Sequence, residues 1–343
     1  MVVAVLRDER YVRTGSAEDE TANSLVTSMM GQSLVSECSD DGTLARIAAG
    51  VWAWTQGDGS WWINNAGLVA GDEGDILIDT CATEMRTRRF LDRVRAVRPD
   101  SSIRFAVNTH LHGDHTYGNS VLPGSTSIVG HSRMRVGLAE DTIIAGCPPF
   151  WSPVPDWGGV SKRLPSVTYD DRLVLHSGST EVQVVHPGYA AHTPGDSVVF
   201  VPAVNTLFTG DLLFHGVTPL VFMGSVEGAL RSLEWIEAFD ADVVVPGHGA
   251  VLHREDVDAV LEAHRRYYRL IQAAAREGVA AGISPLEAAR RTELGEFAAF
   301  PDAERVVLNL HRAYVEITDW TFDLLAAFED AVLYNGAPLS TSV

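Results

Sequence analysis

The sequence predicts an α/β protein with an all-helical C-terminal extension, and three observations carry that reading. β-Branched and aromatic runs of strand length recur between residues 44 and 253, interleaved with stretches of helical periodicity. Four of those runs close on a loop that sets Gly or Pro beside His or Asp. From Arg254 onward, apolar residues recur at helical spacing only.

Composition narrows the class. With 343 residues and 46% hydrophobic content the chain can bury a large core, and length alone suggests about two domains. A formal charge of −19 argues against a nucleic-acid partner. No apolar stretch approaches the ~20 residues of a membrane span, and Met1-Val2-Val3-Ala4-Val5-Leu6 is too short for a signal core. Cys38, Cys81 and Cys147 are too few and too scattered for a disulfide framework. A cytoplasmic protein with no membrane partner is expected.

The elements follow in order. Residues 1–43 are polar and aperiodic, an N-terminal extension expected to be partly ordered. The core starts at 44–48. Residues 51–54 alternate as a strand, 57–59 turn, and 60–63 return as its hairpin partner. A second strand pair spans 66–70 and 75–79, and a helix covers 83–97 until Pro99 stops it. Residues 103–107 form a buried strand; 127–129 is another, and 132–145 a helix. The segment 146–165 holds five prolines with Phe150, Trp151 and Trp157, and reads as a proline-stiffened loop too polar for the core. Strands at 173–175 and 181–185 pair, as do those at 197–201 and 206–208. Leu230, Leu233, Ile236 and Phe239 stripe a helix over 226–239, and 242–245 is a further strand. In the extension, Val257 to Ile271 keep one buried face, Ser284 and Pro285 cap a short helix, and Val307, Leu310, His311 and Tyr314 make a stripe. Leu324, Leu325, Phe328 and Val332 make the last. The domains are thus 1–43, a core at 44–253, and helices at 254–343. His131, His176, His186, His253, His264 and His311 read as core or interface histidines.

Chemistry concentrates in His110-Leu111-His112-Gly113-Asp114-His115, directly after the 103–107 strand. Imidazole and carboxylate suit zinc, and a tight loop lets such side chains converge. Further ligand types end later strands: His192 in Ala191-His192-Thr193-Pro194-Gly195-Asp196, Asp211 after Thr209-Gly210, and His248 in Pro246-Gly247-His248-Gly249.

These motifs resemble the metallo-β-lactamase superfamily, with its His-x-His-x-Asp-His, later His, later Asp and final Gly-His. The resemblance implies a four-layer αββα sandwich with the site at one edge. It places His110, His112 and His192 on one metal, Asp114, His115 and His248 on a second, and Asp211 as the bridge. Asp79 matches an Asp that supports the metal loop from behind. Two Zn²⁺ per chain are implied, although iron or manganese suit the same ligands. Redox di-iron relatives carry a carboxylate where this chain has His112, so hydrolysis by a metal-bound hydroxide is expected, with Asp114 as the catalytic residue that orients the nucleophile.

No Lys or Arg follows Asp211 through Met223, where lactamases often keep a cation for a substrate carboxylate. An aromatic rim is expected instead: Trp52, Trp54, Trp61 and Trp62, then Phe150, Trp151 and Trp157, with His215 near the bridging Asp. Trp61-Trp62-Ile63-Asn64-Asn65-Ala66-Gly67, residues 216–226, residues 284–291 and Tyr334-Asn335-Gly336 look like the actinobacterial aromatic-polyketide cyclase and thioesterase branch. That likeness implies hydrolysis or aldol-type ring closure of a polyketide or other acyl thioester, with an acyl carrier protein as a further partner; it leaves room for a homo-oligomer. A lactonase or lactamase acting on a neutral cyclic substrate is the enzymatic alternative. A metal-stabilised scaffold is the non-enzymatic one, which seven mixed ligands disfavour because structural zinc sites are four-coordinate and closed.

Overall fold

The structure, a computed structural model, describes residues 42–57, 59–100 and 102–343. The extension expected at 1–43 lies outside the described residues except for its last two. The first sheet opens as an antiparallel meander of β1 (Thr43–Ala48), β2 (Val51–Thr55), β3 (Ala66–Val69) and β4 (Asp75–Ile78). Helix α1 (Glu84–Val97) crosses so that β5 (Ile103–Val107) lies parallel to β4. The short helix α2 (Gly113–Thr116) leads on to β6 (Ser127–His131), parallel to β5. After α3 (Ser132–Glu140) and the two-residue β7 (Trp151–Ser152), β8 (Val167–Tyr169) closes this sheet beside β6.

The second sheet runs β9 (Arg172–Ser177), β10 (Thr180–Val185), β11 (Val198–Val201) and β12 (Thr206–His215), all antiparallel. Helix α4 (Val226–Glu237) then crosses to β13 (Val243–Gly249), parallel to β12, and β14 (Leu252–His253) edges the sheet. The helices α5 (Arg254–Ala281), α6 (Pro285–Arg291), α7 (Arg305–Ile317) and α8 (Leu324–Asn335) follow, and β15 (Leu339–Ser340) pairs with β7. Among the described residues no helix is long and apolar enough to cross a membrane.

Period-two alternation makes the layers. Ile76, Ile78, Val107 and Val129 of the first sheet meet Val182, Val184, Val199, Phe208 and Val245 of the second. Their neighbours face outward: Leu68, Leu77 and Ala106 pack under Phe90, Leu91 and Val94 of α1. On the far side Leu207 and Val244 pack under α4 and the C-terminal helices. The result is the four-layer αββα sandwich with helices appended. Each fully buried Val or Leu side chain contributes about 1.5–3 kcal/mol to holding the layers together. Thr83 caps α1 by accepting from the Arg86 backbone N–H, a bond whose loss costs about 1 kcal/mol.

Three expectations are corrected. Residues 60–63 form a turn, not a strand, because β2 is already paired on both edges by β1 and β3. The helix expected over 132–145 stops at Glu140 and resumes as a 3₁₀ turn at Ile143–Ala145. The Asp141 carboxylate accepts from the Ile143 N–H at that break. The 146–165 segment is a loop apart from β7, but it is not wholly outside the core: Trp151 and Trp157 are 2% and 5% exposed.

Candidate metal centre

Strand ends bring the ligand-type residues together. His110 and His112 leave β5, and α2 carries Asp114 and His115. His192 sits on the loop between β10 and β11, Asp211 lies within β12, and His248 lies near the end of β13. Close approach needs glycine at one point in particular. A Cβ on Gly247 would lie 1.9 Å from Asp211 Oδ1, so only glycine lets β13 pass behind that carboxylate.

Two groups result. The ligand atoms of His110, His112, His192 and Asp211 lie within 4.8 Å of one another, as do those of Asp114, His115 and His248. Asp211 faces both. Its Oδ2 is 3.3 Å from His192 Nε2 and 3.4 Å from His248 Nε2, and its Oδ1 is 3.1 Å from His115 Nε2. Asp114 Oδ2 is 3.2 Å from His248 Nε2.

The outer partners decide which imidazole nitrogen carries hydrogen. His192 Nδ1 lies 2.7 Å from the Leu220 carbonyl and His248 Nδ1 2.9 Å from the Gly59 carbonyl; a carbonyl only accepts, so both nitrogens donate. His115 Nδ1 donates to Asp79 Oδ2 at 2.8 Å. The Thr109 hydroxyl gives its hydrogen to the same carboxylate, leaving Oγ1 to accept from His110 Nδ1 at 3.1 Å. His112 Nε2 points at Met223 Sδ, 3.3 Å away. His110, His112 and His192 therefore turn a lone pair inward, whereas the Nε2 atoms of His115 and His248 face carboxylate oxygens. His112 Nδ1 faces His192 Nε2 at 2.8 Å and His110 Nε2 at 3.1 Å, acceptor against acceptor. His115 Nε2 and Asp211 Oδ1 are buried with no hydrogen-bond partner. The facing lone pairs of His110, His112 and His192 repel one another until a cation stands among them, and the mixture of imidazole and carboxylate fits divalent metal.

Electrostatics agree with that donor set. Burial holds the His110 and His192 imidazoles below their ordinary pKa and pushes His112 down to about 3, keeping these rings neutral. Burial opposes the ionised form of Asp114 and Asp211. The surrounding histidines, His115 and His248 above all, outweigh it and hold both carboxyls well below the usual range. Burial equally opposes protonation of His115 and His248, yet the attraction of Asp211 and Asp114 raises both, His248 to about 9. The same carboxylate field attracts any cation that enters.

Asp79 stands behind the two groups of ligand-type residues. At the end of β4, with φ of 59°, its carboxylate accepts from Thr109 N–H, Thr109 O–H and His115 Nδ1–H, each at 2.8 Å.

A cavity of about 270 Å³ opens onto the centre and is walled by Trp61, Trp62, Trp151, Phe222, Met223 and Phe328, among others. Of the predicted rim, only Trp61, Trp62 and Trp151 line it. Trp52 and Trp54 fall on the α1 side of β2, where alternation turns them from the site; Trp54 packs on Phe90 at 5.6 Å. Phe150 stacks on Phe328 at 5.4 Å, and Trp157 packs behind Trp62 at 4.7 Å. His215 turns to the Ala250 carbonyl.

The structure adds wall residues that sequence reading missed. Arg305 of α7 lines the cavity, its guanidinium 4.5 Å from the Trp61 ring and paired with Asp302 at 2.7 Å. Phe222 stacks on His112 at 5.0 Å. Tyr117 and Asp141, joined by a 2.7 Å hydrogen bond, stand in the wall too. Arg305, Asp141 and Phe222 reach the cavity from segments distant from the motif in sequence, whereas Tyr117 lies two residues beyond His115 and only its side-chain direction was hidden.

A family model described as the metallo-beta-lactamase superfamily matches residues 59–248. A linear primary-alkylsulfatase from Pseudomonas sp. is 24% identical over 270 residues, covering 66% of this chain and 49% of the relative. An N-acyl homoserine lactonase from Rhizobium radiobacter is 26% identical over 171 residues, covering 46% and 63%. The chain thus spans about half to three-fifths of these curated relatives. Among solved structures, a metallo-beta-lactamase from Pontibacter korlensis superposes with a TM-score of 0.54 at 20% identity, over 66% of this chain and 99% of that one. A stereoselective inverting sec-alkylsulfatase from Pseudomonas sp. does so at 0.61 and 18%, over 81% and 51%.

Proposed function

The chain belongs to the metallo-β-lactamase superfamily, and on that premise we propose that it is a binuclear zinc hydrolase of bulky, uncharged acyl compounds, a polyketide-type thioester first among them. One observation carries the substrate class: the cavity that opens on the centre is walled by Trp61, Trp62, Trp151, Phe222 and Phe328, and the one Arg or Lys among its described lining residues, Arg305, is paired with Asp302. A flat or branched apolar acyl group fills such a wall. A free sulfate or carboxylate meets Asp114, Asp211, Glu140 and Asp141 there instead.

His110, His112 and His192 would hold one ion, Asp114, His115 and His248 the other, with Asp211 between them. Two such ions, when bound, would polarise the scissile carbonyl and lower the pKa of the attacking water toward neutrality. The remaining work falls to the protein. Asp114 lines the cavity as a carboxylate held ionised by His115 and His248, placed to take a proton from the attacking water. Phe222 and Met223 shield His112 from bulk water, and the tryptophans orient the acyl group. An acyl carrier protein as donor belongs to this reading. Arg86 of α1 is turned inward onto Gln56 and the Trp62 carbonyl, so a carrier-docking face on α1 rests on Arg88, Arg89, Arg93 and Arg95.

The second reading is a lactonase, favoured by the homoserine-lactone relative. Comparing kcat/KM for a bulky aromatic thioester, an N-acyl homoserine lactone, a glutathione thioester, a penicillin and a primary alkyl sulfate separates these readings. The aromatic thioester is expected to lead. Faster turnover of the lactone would transfer the assignment to the second reading, and a lead for any anionic substrate would refute the uncharged class.

A further inference from the structure

Helix α7 lies outside the span matched by the family model, yet one of its faces is bonded to the chain segment that shapes the metal centre. Arg305, Asn309, Arg312 and Glu316 recur at helical spacing, so they share that face. Each reaches the backbone of residues 218–227. Arg305 Nη1 donates to the Thr218 carbonyl at 3.0 Å, and Arg312 Nη1 to the Gly224 carbonyl at 3.1 Å. Glu316 accepts from the N–H groups of Val226 and Glu227. Asn309 makes the central contacts: its Nδ2 donates to the Pro219 carbonyl at 2.8 Å, and its Oδ1 accepts from the Val221 N–H at 2.6 Å. The other Nδ2 contact, at 2.8 Å, is the Tyr267 hydroxyl.

The residue held between Pro219 and Val221 is Leu220, whose carbonyl accepts from His192 Nδ1 at 2.7 Å. That bond decides that His192 presents Nε2 as a lone pair toward His112 and Asp211. Asn309 grips the peptide units on both sides of this acceptor. It is fully buried, and its amide nitrogen and its oxygen are both engaged. Farther along the same segment, Phe222 stacks on His112. Two of the three histidines in that group are thus oriented by a segment bonded to α7.

We propose that Asn309 is a positioning residue for the metal centre, acting through residues 219–221 to fix the tautomer and direction of His192 and so the ion affinity of the His110–His112–His192 group. The proposal rests on the binuclear reading given above. Outer partners of a metal-binding histidine raise affinity by about 10- to 100-fold. The two zinc affinities are measured by competition with a chromophoric chelator for wild type, Asn309→Ala, Asn309→Asp and Leu310→Ala. Leu310 is buried on the same helix in the core cluster, so its truncation lowers stability without removing any hydrogen bond to the backbone of residues 218–227. Asn309→Ala should weaken one of the two affinities by ~10- to 100-fold and leave the other in place. Asn309→Asp, the same shape with one donor nitrogen replaced by oxygen, should weaken the same affinity. Leu310→Ala should keep both affinities despite a lower melting temperature. Asn309 variants that fold and bind both ions as wild type does would overturn the proposal. So would equal loss in Leu310→Ala, or failure of both Asn309 variants to fold while Leu310→Ala folds, since either assigns Asn309 to the fold alone. Wild-type protein that takes up no zinc would refute the binuclear reading and this inference together. Two ions in wild type and unaffected Asn309 variants would refute the inference only.

Discussion

Asp79→Asn tests the support of the metal centre with the least change of shape. Asp79 holds a left-handed backbone with φ of 59°, which asparagine also tolerates, so backbone strain does not enter. The native Oδ1 accepts from Thr109 N–H, while Oδ2 accepts from both Thr109 O–H and His115 Nδ1–H, all at 2.8 Å. The amide keeps the first bond and sets an NH₂ against the His115 N–H. Donor then faces donor in a fully buried site, at a cost of about 1–3 kcal/mol. The relief open to His115 is to move its proton to Nε2, the nitrogen that faces Asp211 and Asp114. That proton occupies the lone pair an ion would use. The affinity of the Asp114–His115–His248 group should fall about 10- to 100-fold, equivalent to about 1.4–2.7 kcal/mol. Zinc competition measures the affinity, and thermal denaturation of the metal-free protein measures the stability loss, at about 2 °C or less per kcal/mol for a unit of this size. An Asp79→Asn protein with both wild-type affinities would refute the tautomer argument for every histidine in the centre, because Asp79 is its strongest case.

Other outcomes follow from the same geometry. Asp114→Asn should fold with a wild-type circular dichroism spectrum and lose ~10²–10⁴-fold in kcat/KM on a thioester, the range of a general base; wild-type turnover would remove Asp114 from proton transfer. Buried His264 donates to the Val260 carbonyl and accepts from the Phe214 N–H, and burial pushes its pKa down to about 4. The unfolded chain takes up that proton first, so stability is lost as pH falls from 6.5 toward 4, by up to about 3 kcal/mol. Urea denaturation should show His264→Gln losing less stability than wild type between pH 7.5 and 4; parallel losses would contradict this. Leu324 is half-buried in the cavity wall, where a cation is otherwise paired, so Leu324→Lys should lower KM several-fold for a glutathione thioester and leave a neutral thioester unchanged. Equal effects on both would show that charge does not govern selection.

The seven ligand-type residues were legible because they cluster on loops where apolar runs close, with Gly or Pro close by, whereas Asp79 was legible only through the family resemblance. Strand alternation places Ile76 and Ile78 on one face of β4 and Leu77 on the other. The aromatic rim was not legible in the same way. Trp52 and Trp54 looked like their neighbours Trp61 and Trp62, but the first pair follows the pleat of β2 under α1, while the second lies on a turn with Trp62 at φ of 69°. Arg86 shares α1 with the exposed Arg88, Arg93 and Arg95, yet it is drawn inward to the Trp62 carbonyl on the turn at 60–63.

The chain by itself determined the alternation of strands and helices and the motifs whose resemblance implied the sandwich, the ligand set and a hydrolase, because these depend on patterns a few residues long. Only the tertiary structure decided what walls the cavity and what orients the ligands. On α7 the apolar stripe of Val307, Leu310 and Tyr314 was visible in sequence, whereas Arg305, Asn309, Arg312 and Glu316 carry the pattern of a solvated face. They instead meet the backbone of residues 218–227, some 90 positions earlier in the chain, in the Asn309–Pro219 and Glu316–Val226 bonds. Local pattern records whether a side chain is polar, and a buried hydrogen bond to a distant carbonyl uses the same polar side chains as contact with water.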